Sequence, residues 1–103
     1  MMSQDIQTKP RVAIHYCNLC RWVLRASWLA QELLFTFDDD LAEVALCPGL
    51  KGGFDIYVDE QLIWSRKEQG RFPEAKEIKQ RVRDIIDPER DLGHSDSKSA
   101  KSE

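Results

Sequence analysis

Hydrophobic positions along the chain follow two rhythms. From Arg11 to Tyr16 they alternate, with Val12, Ile14 and Tyr16 on one side and Arg11, Ala13 and His15 on the other, the pattern of a half-buried strand. From Leu19 the rhythm lengthens. Leu19, Trp22, Val23, Ala26, Leu29, Ala30 and Leu33 recur at the spacing of a helix, predicted to run to Leu34 or Phe35. A short strand is predicted over 42–46, ahead of the Pro48-Gly49 break. Alternation returns at Phe54, Ile56 and Val58 and again at Leu62 and Trp64, with Asp59-Glu60-Gln61 as a tight hairpin between them. A last helix has Pro73 in its first turn, Ala75, Ile78, Val82 and Ile85 inward, and Pro88 at its end.

The predicted order is therefore strand, helix, strand, strand, strand, helix. A right-handed crossover makes the first two strands parallel neighbours, and the third pairs antiparallel with the first. The expected fold class is α/β, a two-layer sandwich with a four-stranded mixed sheet, both helices on one face and the other face wet. Residues 9–90 form the predicted domain. Residues 1–8 read as a loose N-terminus. Residues 91–103 hold four serines and two aliphatic side chains, too little apolar surface to order a tail.

Composition narrows the function classes. The 103 residues suit one domain, and no run of about 18 apolar residues suggests a membrane span. The polar stretch before Arg11 has no signal-peptide pattern, so a cytoplasmic location is expected. Net charge is −3, the wrong sign for a protein that grips phosphate backbone, so no nucleic-acid partner is expected. Three cysteines are too few, and odd in number, for a disulfide scaffold.

Chemistry concentrates in Tyr16-Cys17-Asn18-Leu19-Cys20, at the junction of the first strand and the first helix. A helix N-terminus offers unpaired N–H groups and positive potential, which favour thiolate over thiol. An unperturbed cysteine is only about 3% thiolate at pH 7. The ring closed by such a pair contributes only about 2 kcal/mol of cross-linking entropy, so a disulfide here is worth more as a reactive group than as a staple. Other readings are half of a zinc site completed by Cys47, His15 or His94, and incidental buried cysteines. The redox reading expects no metal and no resident cofactor. Cys47 ends the second strand on the same sheet edge and is a candidate accessory thiol, or a small buried hydrophobe. The loop carrying Gly49, Gly52, Gly53 and Phe54 passes beside Cys17 and reads as a substrate-binding loop using strand-like hydrogen bonds, or as a plain turn.

Taken together, Tyr16-Cys17-x-x-Cys20, Gly52-Gly53-Phe54-Asp55-Ile56, Leu62-Ile63-Trp64-Ser65-Arg66-Lys67 and Gly70-Arg71-Phe72-Pro73 resemble the selenoprotein T/W/H (Rdx) family, in a bacterial form with cysteine in place of selenocysteine. The likeness spans about residues 10–88. It implies a thioredoxin-like fold and a thiol–disulfide redox role cycling through Cys17 and Cys20. The implied partners are protein thiols or disulfides, linked to glutathione as co-substrate or to thioredoxin. Selenium in that family falls at the position of Cys20, whereas thioredoxin logic makes the first cysteine, Cys17, the exposed attacker. Gly53 stands where thioredoxins carry a cis proline.

Several residues carry weaker expectations. His15 reads as a solvated strand residue, Trp22 and Trp64 as core, and Glu77 with Arg81 as a solvated helix pair. Leu24, Trp28 and Phe35 share the helix face opposite the core stripe and form a candidate interface for self-association or a protein partner. That face, or the glycine loop, supports the alternative of a non-catalytic redox-sensing adaptor.

Overall fold

The computed structural model describes residues 9–93. The stretch read as a loose N-terminus and most of the polar tail, His94 included, lie outside the described residues.

The elements run β1 (Arg11–Tyr16), α1 (Val23–Phe37), β2 (Glu43–Pro48), β3 (Phe54–Val58), β4 (Gln61–Ser65), α2 (Arg66–Gln69) and α3 (Ala75–Ile86). The sheet order is β2-β1-β3-β4, parallel between β1 and β2 and antiparallel elsewhere. This is the mixed sheet and crossover expected from the alternation. Val12, Ile14, Tyr16, Phe54, Ile56, Val58 and Trp64 from the sheet join Ala26, Leu29 and Leu33 of α1 and Ile78 and Val82 of α3 in one core. Both long helices therefore cover the same face. The register puts Ala13, His15, Ala45, Cys47, Asp55 and Tyr57 on the other face, where His15 meets Tyr57 edge-on at 5.3 Å.

Several boundaries differ from the sequence reading, among them β2, which runs Glu43–Pro48 instead of 42–46, and the short α2, which no periodicity announced. The first helix starts at Val23, because Arg21 adopts φ +60° and its N–H closes a turn on the Asn18 carbonyl at 3.1 Å. Leu19 is thus 76% exposed instead of lying in the core stripe, and the stripe extends at the far end to the fully buried Phe37. In β4 a bulge pairs Ile56 with Trp64 but Tyr57 with Leu62, leaving Ile63 as the extra residue. Leu62 then faces outward, Ile63 and Trp64 are both buried, and Arg81 donates to the Ile63 carbonyl at 2.7 Å. The last helix begins after Glu74, so Pro73 precedes its cap; Ile86, not the exposed Ile85, packs on the core. Leu92, within the stretch read as a tail, also packs against the core.

Lys79 occupies an inward position of α3. Its stem is buried and its Nζ reaches Glu32 Oε1 of α1 at 2.9 Å, tying the two covering helices together. Glu77 does not pair with Arg81. It accepts two bonds from Arg71, at 2.9 and 2.6 Å, and completes a capping box with Glu74.

Candidate active site at the end of β1

The chain leaves β1 at Tyr16 and spends residues 17–22 in turns before α1 begins. The two motif cysteines sit in that turn, not in the first turn of a helix. Their exposures are the reverse of thioredoxin logic: Cys17 is 1% exposed and sealed, whereas Cys20 is exposed. Backbone geometry accounts for this. Cys17 N–H donates to the Gly53 carbonyl at 3.0 Å, extending the β1–β3 ladder by one step and holding Cys17 under the 49–53 loop. The left-handed turn at Arg21 then carries Cys20 outward.

The sulfurs remain close. Cys20 N–H donates to Cys17 Sγ at 3.2 Å. The Cys17 thiol is held below the ordinary cysteine range first by a hydrogen bond from the Cys20 side chain, against the opposing effect of burial. The N–H groups of Gly52, Cys20 and Leu19 add to the lowering. Cys20 is pushed up, chiefly by its bond to Cys17 and by burial, with Gly52 and the Arg66 charge pulling the other way. Of the two sulfurs, Cys17 is therefore the one that gives up its proton first, and Cys20 holds its own longer. Local amides, the Cys20 N–H foremost, take the place of the helix dipole that the sequence suggested.

The glycine loop builds this cradle. Gly49 and Leu50 N–H both donate to the Tyr16 carbonyl, at 3.1 and 3.3 Å, folding the loop back over the end of β1. Gly52 has φ +68°, a conformation glycine adopts without penalty, and its N–H contributes to lowering the Cys17 pKa. A Cβ on Gly53 would lie 2.6 Å from the Leu50 side chain. The strand-like hydrogen bonds read for this loop are consumed within the chain, since Cys17 N–H and the Gly53 carbonyl bond each other. Phe54 is fully buried and meets Phe72 edge-on at 5.3 Å, so it packs the core and does not line a substrate site.

Around the exposed cysteine lies a group the sequence reading did not assemble. Trp22 meets Phe72 edge-on at 4.8 Å, the Arg25 guanidinium lies 4.0 Å from the Phe72 ring centroid, and Arg66 sits 4.8 Å from Phe72 and 5.0 Å from Trp22. Arg66 and Phe72 both fall in motifs that carried the family likeness, and that was the available signal. Cys47 stands apart, on the uncovered sheet face opposite His15 and within reach of the Arg11 guanidinium, itself paired with Glu43. Leu24, Trp28 and Phe35 are 79%, 46% and 87% exposed along α1. Among the described residues no group of three or more potential metal ligands comes together, and no helix is long and apolar enough to cross a membrane.

A mixed sheet covered on one face, with a close C-x-x-C pair at the end of its first strand, defines a thioredoxin-like protein with a redox-type cysteine site. The Rdx family model matches residues 11–84, and the chain belongs to the Rdx family. It is similar to the selenoprotein W-related protein from Vibrio cholerae, whose crystal structure shares 51% identity at a TM-score of 0.75 over 78% of this chain and 100% of that one. A crystal structure of a Bordetella parapertussis protein shares 58% identity, with a TM-score of 0.72, over 74% of this chain and 96% of the other. Comparison with functionally curated proteins returns no match.

Proposed function

We propose that the protein performs thiol–disulfide exchange, cycling between a Cys17–Cys20 dithiol and disulfide, with Cys20 as the sulfur that meets the substrate. The observation that carries this reading is the contrast between the two sulfurs: one open to solvent, the other sealed and accepting a hydrogen bond from the Cys20 N–H.

In the oxidised protein a substrate thiolate attacks Cys20 Sγ. The Cys17–Cys20 bond breaks and Cys17 departs with the electron pair. A thiol of lower pKa leaves faster, and the amides of Gly52, Cys20 and Leu19 stabilise the departing thiolate. A second substrate thiolate attacks the substrate sulfur of the mixed disulfide. Cys20 is released and protonated, and the substrate leaves as a disulfide, oxidised by two electrons. In the other direction the Cys17 thiolate attacks Cys20 Sγ of a mixed disulfide and expels the substrate thiolate. Glutathione or a thioredoxin resets the pair in this reading, within the cytoplasm and without a resident cofactor. Cys47 takes no part.

Trapping tests the assignment. Cys17→Ser leaves an exposed Cys20 with no resolving partner, so its thiolate attacks disulfide-bearing substrates, expels one of their thiolates and keeps the other as an accumulating mixed disulfide. Cys20→Ser leaves only the sealed Cys17 of the pair and accumulates few. The opposite pattern would reassign the entry sulfur, and no mixed disulfide on either variant would end the exchange reading. The exposure of Trp28 and Phe35 favours one further reading, an adaptor that binds a protein through α1 and uses the thiols as a sensor. It predicts no disulfide turnover, and a Trp28→Glu variant that loses its partner while the thiols still cycle.

A further inference from the structure

The chain has eight arginines and a net charge of −3. Five of them reach an oxygen: Arg11 bonds Glu43, Arg71 bonds Glu77, Arg81 bonds the Ile63 carbonyl, Arg83 bonds Asp84, and Arg90 bonds Asp40. The side chains of Arg21, Arg25 and Arg66 have no oxygen partner among the described residues, and Arg66 Nε is buried without one. These three are not scattered. Arg21 follows Cys20 directly, Arg25 lies one turn into α1, and Arg66 opens α2 close enough for its charge to be felt at the Cys20 sulfur.

Aromatic rings hold two of them in place. The Phe72 ring carries both Arg25, at 4.0 Å, and Arg66, at 4.8 Å, so the two charges stand within one Debye length, about 10 Å at 0.1 M salt. Trp22 braces Arg66 from a second side at 5.0 Å. Two like charges fixed side by side without a counter-ion repel each other, and an anion between them relieves that repulsion. A planar guanidinium matches a carboxylate by paired N–H donors, and stacking on a ring leaves those edge donors free to do so.

The geometry points to a carboxylate-binding platform of Arg25 and Arg66 on Phe72, beside Cys20, that selects substrates whose reacting sulfur has a carboxylate close by. This rests on Cys20 being the entry sulfur and deepens that reading by naming the substrate class. The chemistry is shared by a small carboxylated thiol and by an acidic protein loop around a cysteine, and the two are separable by experiment.

The test is the alkylation of Cys20 in the reduced protein by iodoacetate, an anion, against iodoacetamide, its neutral counterpart, with the label located by peptide mapping. The expected rate ratio at Cys20 is several-fold above that of a cysteine in an unstructured peptide. It falls about threefold in Arg66→Gln, about tenfold in Arg25→Gln/Arg66→Gln, and also falls as salt is raised. The Arg25→Lys/Arg66→Lys variant keeps most of the ratio even where packing on the rings is weakened. Cys47, on the far face of the sheet, keeps its own ratio throughout. A wild-type ratio equal to the peptide's, or one unmoved by the double glutamine variant, overturns the inference. Because no disulfide chemistry is involved, a high ratio in a protein that never turns over would keep the platform and remove the exchange reading. For the source, thiols are presented to the oxidised protein. Faster reaction with an acidic cysteine peptide than with 3-mercaptopropionate assigns the site to a protein loop, and the reverse assigns it to a small thiol. Cysteamine, a cationic thiol, reacting fastest of all contradicts both.

Discussion

Gly52 occupies open space at φ +68°, and nothing but its backbone touches the chemistry. An alanine there meets no atom, yet pays for a left-handed conformation, about 1–2 kcal/mol. Gly52→Ala is therefore expected to lower stability by about 1 kcal/mol and to raise the Cys17 pKa as the N–H swings away; chemical denaturation and thiolate absorbance read the two effects separately. Stability lost with no change in thiolate titration would show that this amide does not govern the sulfur. The motif and its glycine loop were legible because C-x-x-C and clustered glycines are local patterns. Which cysteine is buried was not legible. The spacing places two sulfurs a turn apart but leaves open which one faces inward. The left-handed Arg21, a residue type with no special liking for that conformation, makes the choice.

At the level of elements, the cap of α3 carries a pH-dependent contribution. Glu77 is held below the ordinary carboxylate range first by Arg71, with the Glu74 N–H helping and partial burial opposing. A carboxylate with a depressed folded pKa stabilises the fold above its unfolded value, about 4.3, and that stabilisation fades as pH falls through the lower folded value. Glu77→Gln is thus expected to cost about 1 kcal/mol at neutral pH and progressively less as pH falls below about 4.3, as followed by denaturation across that range. An equal cost throughout would place the effect in packing instead. The α1–α3 tie behaves differently. Glu32→Gln leaves the mostly buried Lys79 ammonium without its charge partner, and a loss of about 1–2 kcal/mol in thermal unfolding is expected. The order of the four strands and the two long helices followed from periodicity, while the four-residue α2 is too short to leave a periodic signal. Ile86 replaces Ile85 as the i+4 rather than the i+3 neighbour of Val82 on one helix face, whereas Leu62 and Ile63 exchange places at a bulge. A one-residue shift turns a side chain to another face, so phase errors fall at such irregularities.

Over the whole molecule, the cysteines differ in what each one meets. Cys20 N–H bonds Cys17 Sγ in the turn after β1, whereas Cys47 sits in β2 beside His15, so mild oxidation should yield the Cys17–Cys20 disulfide first, as read by mass spectrometry. A thiolate stabilised in the reduced state makes a pair more oxidising. Each pKa unit by which Cys17 falls below the working pH raises the potential by about 30 mV. Losing that stabilisation should therefore make the potential more negative, and equilibration of Gly52→Ala and the unaltered protein against glutathione reads the shift. In the proposed exchange the leaving sulfur, Cys17, is the buried one and the contact sulfur, Cys20, the exposed one. Thiolate titration of the reduced Cys47→Ala protein tests that division most directly. Two steps are predicted, the first below the ordinary cysteine value and lost in Cys17→Ser, the second above it. Two overlapping steps near 8.5, or a first step that survives Cys17→Ser unchanged, would contradict it.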